Sequence, residues 1–250
     1  MKSVILAAGK GTRMRNLTNE VPKPMLTVEG QPILEHILRG LTSSGIREFC
    51  IVTGYRAEAI ESYFGDGSRW GAAIRYARQL VQDGTGKAPE LARDSVGSDS
   101  FLLTYGDILV RPETYREMIE RFHQDAFSGL VTVTRGEDVA KGGINFFDEA
   151  FCLRRIVEKP STSQLDQFRI DGWLQPEGPV WYNAGIYIFQ PCLFDFTATL
   201  PKSPRGEYEL PDAINAMLAS GHRIAGLEIR GRWVDVRDPE VLASLEKTIF

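Results

Sequence analysis

The feature that most constrains this chain lies at its start. Val4-Ile5-Leu6-Ala7-Ala8, a short unbroken apolar run, empties at once into Gly9-Lys10-Gly11-Thr12-Arg13. A run without polar alternation reads as a strand buried on both faces. Glycines directly behind it let backbone N–H groups approach a phosphate that side chains bearing a Cβ would obstruct. Taken alone, the loop is equally an ordinary tight turn. Two familiar phosphate loops are absent: a dinucleotide fingerprint needs a third glycine where Met14 stands, and a Walker loop needs Ser or Thr where Ala88 follows Gly86-Lys87, with a glycine at Val81.

Strand and helix signals alternate behind this start. Ile33, Leu34, Ile37, Leu38 and Leu41 recur at helical spacing until Gly45, and Phe49 to Val52 is a second β-prone run ending at Gly54. A short helix with Ile60 and Phe64, a strand around Ile74 and Tyr76, the run Phe101-Leu102-Leu103 and a helix opened by Pro112 with Tyr115, Met118, Ile119 and Phe122 continue the pattern. This predicts an α/β fold with a mostly parallel central sheet and helices on both faces. From about residue 128 the texture changes to Leu130–Val133, Ile144–Phe147, Leu153–Val157 and Ile186–Phe189, strands of a second, more mixed layer. Two late helices carry Ile214, Met217 and Leu218, and, behind the cap Asp238 and Pro239, Val241, Leu242 and Leu245. The stretch from Ser161 to Pro179 reads as one long irregular segment.

A chain of 250 residues with 43% apolar side chains can bury a sizeable core in one large domain or two small ones. With 29 basic against 33 acidic residues and no run of five like charges, non-specific binding to nucleic acid or anionic membrane is a poor reading. The opening apolar run is too short for a secretory h-region, and no stretch approaches the ~18 apolar residues of a membrane span. The scattered Cys50, Cys152 and Cys192 read as buried free thiols, which predicts a cytoplasmic protein. His36, His123 and His222 show no metal-ligand spacing.

Ten residues past Arg13 stands Pro22-Lys23-Pro24-Met25-Leu26, where two prolines are expected to hold the chain extended and fix Lys23 between them as a positioned cation. By itself this is equally a solvated loop lysine. Gly9-x-Gly11-Thr12-Arg13 followed at this distance by Pro-Lys-Pro resembles the nucleoside-triphosphate signature of the sugar-1-phosphate nucleotidyltransferases. Further landmarks similar to that family's follow in order over essentially the whole chain. They are Gln79 with Gly84-Thr85-Gly86, Tyr105-Gly106-Asp107, Gly143-Ile144-Asn145-Phe146-Phe147-Asp148, Val157-Glu158-Lys159-Pro160, Asn183-Ala184-Gly185-Ile186, Arg205-Gly206-Glu207-Tyr208-Glu209 and Trp233-Val234-Asp235.

The resemblance implies a Rossmann-like nucleotidyltransferase fold and one domain over residues 1–250, with a nucleotide-binding part about 1–127 and a smaller mixed-β, sugar-phosphate-binding part about 128–250. It implies that Ala7, Ala8, Gly9, Gly11, Thr12, Arg13, Lys23, Gln79, Gly84 and Thr85 bind the nucleotide. Gly143, Glu158, Lys159, Asn183 and Glu209 bind the sugar phosphate, Glu158 at the hydroxyls and Lys159 at the phosphate. Asp107 and Asp235 hold a Mg2+ cofactor, and Arg13, Lys23 and Asp107 are catalytic. Each residue also has a plain alternative: a turn or cap aspartate, a surface ion pair at Glu158-Lys159, a turn asparagine before a strand at 183, a carboxylate in the first turn of a helix at Glu209. Both aspartates end apolar runs, which puts them at the carboxyl edge of a sheet where ligands bind. Together they supply the hard oxygens that suit Mg2+ completed by phosphate oxygens.

The reaction implied is nucleotidyl transfer from an NTP to a sugar 1-phosphate with release of pyrophosphate. The two substrates bring roughly six negative charges, since a phosphate monoester has its second pKa near ~6. Arg13, Lys23, Lys159 and Mg2+ offset that repulsion, and the attacking oxygen is already ionised, so no general base is needed. The Gln79 amide, donor and acceptor at once, suits the imide edge of uracil or thymine, which favours UTP or dTTP over GTP and CTP. Two departures from the family pattern bear on this: Val236-Arg237-Asp238 replaces the usual Gly or Gly-Thr after Asp235, and Lys87-Ala88-Pro89 continues the base segment. A non-catalytic nucleotide- or sugar-phosphate-sensing homologue is the competing class, and retention of the charged residues opposes it. An end at Phe250, fifteen residues past the last motif, is expected to leave no room for the β-helical acyltransferase domain of some relatives. The sequence leaves the sugar unassigned and leaves room for a homo-oligomer.

Overall fold

The computed structural model describes residues 1–245, so that 246–250, the end of the expected sugar-phosphate part, lie outside the described residues. The opening run forms the strand Lys2–Ala7. Its side chains feed two cores in alternation, Ile5 and Ala7 into one, Val4 and Leu6 into the other, as an apolar strand covered on both faces must. It pairs in parallel with Glu48–Thr53 on one side, Val4 opposite Cys50, and with Phe101–Tyr105 on the other, Val4 opposite Leu103. Ala73–Arg78 extends this parallel set beyond Glu48–Thr53. The helix Ile33–Ser43 covers the first core with the predicted stripe, all of it buried, each large apolar side chain contributing roughly 1.5–3 kcal/mol. Helix Leu210–Ala219 buries Leu210, Ala213, Ile214 and Met217 in the second core.

The α/β reading holds, with one correction to its second half. The later strands form no layer of their own; they continue the same sheet, which reaches nine strands among the described residues. Trp181–Phe189 runs antiparallel to Phe101–Tyr105 through its last residues, Ile186 opposite Thr104, and pairs with Gly143–Phe147 through its first, while Gly129–Thr134 pairs along both parts. Leu153–Glu158 and Ile224–Glu228 complete it, joined to Gly143–Phe147 and Gly129–Thr134. The register of the long strand shifts between Asn183 and Tyr187, around Gly185 at φ 76°. A Cβ at Gly185 would stand 2.5 Å from Ile108 Cδ1 and 2.9 Å from Tyr105 Cδ2, so the break that opens the sheet needs glycine twice over.

Other local readings also shift. The segment expected to be irregular contains the helix Thr162–Ile170, opened by a capping box in which Ser161 and Gln164 satisfy each other's backbone N–H. Lys23 is not extended: Lys23–Met25 is a 3-10 turn, closed by Met25 N–H to Pro22 O at 2.8 Å, and extended backbone is kept only on its two sides, at Pro22 and Leu26. The Asp238 cap is present, accepting from Val241 N–H at 2.8 Å. All three cysteines are free, but only Cys50 is buried; Cys152 and Cys192 are half-buried. No helix among the described residues is long and apolar enough to cross a membrane.

Candidate active site

The strand Lys2–Ala7 has its two parallel neighbours on opposite sides, so the loops leaving their carboxyl ends diverge and open a crevice. Asp107 enters that crevice just past the end of Phe101–Tyr105. Asp235, distant in sequence, arrives by a small antiparallel ladder in which Trp233–Asp235 pairs with Ile108–Val110, Asp235 opposite Ile108, reinforced by Val236 N–H to Asp107 O at 3.0 Å. Trp233 locks the ladder to the long strand, donating Nε1–H to Ala184 O at 2.8 Å. The Lys23 ammonium sits between the two carboxylates, hydrogen-bonded to Asp107 Oδ2 and 4.0 Å from Asp235 Oδ1. Burial and the Asp107 charge push Asp235 up to about 6, against the pull of Lys23, Arg237 and Arg13.

The cleft around this triad has a volume of about 430 Å3. Its nucleotide end is mostly backbone. Ala7, Ala8, Gly9 and Gly11 form one wall, and a side chain at Gly9 would meet nothing but what enters the cleft. Gly11, at φ 65°, lies so close to Lys23 that an added Cβ would be 2.9 Å from the lysine Cβ, so loop and cation are packed as one unit. Arg13 is exposed at the mouth and forms no ion pair among the described residues. Gln79 is half-buried, its amide 3.4 Å from Gly84 O. Gly84 and Gly86 lie against Tyr208 through Tyr208 N–H to Asp83 O at 2.8 Å and Gly86 N–H to Tyr208 O at 2.7 Å, which fastens the expected base-reading segment to the far half of the chain. Thr85 Oγ1 accepts from Leu210 N–H at 3.5 Å at the start of the helix Leu210–Ala219.

The other end is built from side chains. Asn183 lies within the strand rather than ahead of it; its amide donates to Tyr187 OH at 2.7 Å, and its Oδ1 is buried without a partner. Gly143 faces it, with room for a Cβ only at 3.2 Å from Asn183 Cβ and 3.3 Å from Glu158 Oε2. Burial pushes Glu158 up to about 7, with Glu209 and Glu207 adding to the rise and Lys159 and Arg205 opposing it. Lys159 holds φ at 42°, a left-handed backbone that costs a non-glycine residue roughly 1–2 kcal/mol and here turns the residue behind the strand end. Glu209, at the N-cap of Leu210–Ala219, is 5% exposed and neutralised by Arg205, whose Nε lies 3.2 Å away.

Every residue assigned from the resemblance lines this one cleft except Thr12, which is exposed at the start of the 3-10 segment Thr12–Thr18. Sequence reasoning missed Gln82, Lys141, Tyr182, Arg205 and Glu207, which also line it. Gln82 donates to Ala8 O at 2.8 Å. Arg205 and Glu207 stand inside a quoted motif of which only Glu209 was singled out, and spacing alone does not show that Arg205 neutralises a buried Glu209.

Residues 2–249 match the family profile described as nucleotidyl transferase. The chain belongs to that family. Among its relatives are a low-salt glycan biosynthesis nucleotidyltransferase of Haloferax volcanii, 31% identical over 100% of this chain and 66% of the relative, and a UTP–glucose-1-phosphate uridylyltransferase of the same organism, 31% identical over 96% and 93%. The chain spans about half, 52%, of the length of the bifunctional GlmU protein of Methanococcus aeolicus. A crystal structure of a Bacillus anthracis protein described as a glucose-1-phosphate thymidylyltransferase, in complex with sucrose, superposes with a TM-score of 0.83 at 25% identity, covering 100% of this chain and 97% of the other. For the nucleotidyl transferase family a divalent cation is the group to test against this site. Among the described residues no cluster of three or more His, Cys, Asp or Glu could hold a metal unaided. Two half-buried carboxylates in mutual repulsion beside one lysine nevertheless fit Mg2+, which takes one or two carboxylates and draws its other oxygens from phosphate and water.

Proposed function

We propose that this nucleotidyl transferase moves a nucleotidyl group from UTP or dTTP to a sugar 1-phosphate, forming an NDP-sugar and pyrophosphate. The observation that carries the reading is the junction itself: Lys23 bridges Asp107 and Asp235 where the backbone-lined end meets the carboxylate-lined end, so two substrates entering from opposite ends would meet at one set of charges. The named relatives that act with UTP on glucose 1-phosphate, or as a glucose-1-phosphate thymidylyltransferase, support the substrate pair. In this reading Gly9 and Gly11 give the triphosphate room, and Arg13 and Lys23 take the charge that builds on the departing pyrophosphate. Lys159 holds the sugar phosphate, Asn183 and Glu158 the hydroxyls, and Gln79 the base edge. Bound Mg2+, held by Asp107 and Asp235, would supply neutralisation of the phosphates. The alignment is in-line attack by an already ionised oxygen, which asks no side chain for a proton.

The proposed division into a nucleotide part about 1–127 and a sugar-phosphate part about 128–250 is functional, since both parts share one sheet and Asp235 comes from the second. A cytoplasmic setting is part of the same reading, supported by three dispersed free thiols. The test is pyrophosphate release over UTP, dTTP, GTP and CTP against a panel of sugar 1-phosphates. Release with a pyrimidine nucleotide is expected; release with no pair would remove the reading.

A further inference from the structure

The sugar end of the cleft is a surface of acceptors. Asn183 donates an amide N–H to Tyr187 OH, and its Oδ1 is buried and unpartnered. Asn183 and Glu158 Oε2 flank the gap that Gly143 keeps open, each within 3.3 Å of the point where a side chain at 143 would begin. Arg205 is shared by three carboxylates: its guanidinium is bonded to the buried Glu209 and stands 3.9 Å from Glu158 and 3.8 Å from Glu207. Lys159 lies 3.8 Å from Glu158, but a sugar phosphate would claim it.

From this arrangement we propose that the sugar end admits aldose 1-phosphates whose rings carry only hydroxyl or amino groups and rejects those with a second anionic group, namely uronic acid 1-phosphates and sugar bisphosphates. This rests on the nucleotidyl-transfer reading. A hydroxyl or ammonium donates into Asn183 Oδ1 and Glu158. A carboxylate or second phosphate has no proton to give, leaves Asn183 Oδ1 unpaired and adds like charge beside Glu207 and Glu209, whose shared cation Arg205 is already engaged.

The experiment compares glucose 1-phosphate, glucosamine 1-phosphate, glucuronic acid 1-phosphate and glucose 1,6-bisphosphate, with mannose and galactose counterparts, by pyrophosphate release and by calorimetric binding to the full chain. In the configuration that works best, the anionic members should fall at least about 100-fold below the hydroxyl parent and the amine should stay within about tenfold of it or exceed it. Glu207→Gln, at an exposed side chain that leaves the fold intact, should narrow the gap by about tenfold, as should Glu158→Gln. An anionic sugar bound or turned over within about tenfold of its parent would overturn the inference alone, as would a gap that neither variant changes. Binding in the predicted order without pyrophosphate release would uphold the inference and overturn the catalytic reading. Absence of both binding and release would overturn the two together.

Discussion

The two ends of the cleft are made of different material. At the nucleotide end, Ala7 to Gly11 offers main chain and empty space from one continuous stretch, with Lys23 packed directly on Gly11. At the sugar end, Gly143, Glu158, Asn183 and the pair Arg205 and Glu209 come from four separate segments, and all but Gly143 offer side chains. The contrast matches two tasks. A triphosphate is recognised through charge and close backbone approach, which small residues on one loop provide; a sugar ring is recognised through hydroxyls in several directions, which only convergence of distant segments provides. Lys23, Asp107 and Asp235 are where the two constructions join.

The largest effect should come from cutting that join. Asp107→Asn removes a carboxylate that holds Lys23, and turnover should fall by about 100- to 1000-fold while the melting temperature stays near wild type. Pyrophosphate release and a thermal melt measure both; near-normal turnover would mean the junction has no part in the chemistry.

Glycine replacements at the two ends should separate them. Gly11→Ala forces a Cβ to 2.9 Å from Lys23 Cβ at φ 65°, so kcat/KM for the NTP should fall by about 10- to 100-fold. Gly143→Ala crowds Asn183 and Glu158 Oε2 without backbone strain, and should raise KM for the sugar 1-phosphate by about tenfold while leaving KM for the NTP unchanged. Steady-state kinetics with each substrate varied in turn would dissolve the comparison if both variants moved the same parameter.

Gln79→Glu sharpens the nucleotide end alone. Exchanging a donor for an acceptor should shift the ratio of kcat/KM for UTP to that for GTP by about tenfold toward GTP, as expected for one unpaired polar contact of ~1–3 kcal/mol. An unmoved ratio would take Gln79 out of base reading.

The smallest effect is a pH dependence of stability at the sugar end. The Glu158 carboxyl is raised from 4.5 to about 7 on folding, so its contribution favours the folded state below pH 4.5 and is lost as pH rises through about 7. With 21% of the side chain exposed, the span is about 1–3 kcal/mol, or roughly 2–10 °C in melting temperature. Between about pH 5 and 8, Glu158→Gln should therefore lose less stability than wild type. Parallel melting curves would contradict the burial of this charge.

Legibility in the sequence followed the same divide. Val4–Ala8 and its glycines were readable locally, because an unbroken apolar run and φ-permissive residues carry their meaning within a few positions. The helix Thr162–Ile170 was equally local, marked by Ser161 and Gln164, yet the surrounding Pro and Gly residues outweighed that signal. Asp235 could be placed beside Asp107 only through family resemblance, since the ladder joining Trp233–Asp235 to Ile108–Val110 is a long-range pairing no local pattern announces. The single sheet was hidden for the same reason: the register shift at Gly185 lets one strand serve both halves. Arg205 escaped because its task is to neutralise Glu209, a burial that spacing alone does not reveal.

The central claim is that one cleft has a nucleotide end and a sugar-phosphate end meeting at Lys23. Lys23→Ala and Lys159→Ala, compared by pyrophosphate release with UTP and a sugar 1-phosphate each varied to saturation, test it most directly. The account predicts that Lys23→Ala depresses kcat by about 100-fold or more, and that Lys159→Ala mainly raises KM for the sugar 1-phosphate. Loss confined to the nucleotide in both variants, or to neither substrate in either, would contradict it.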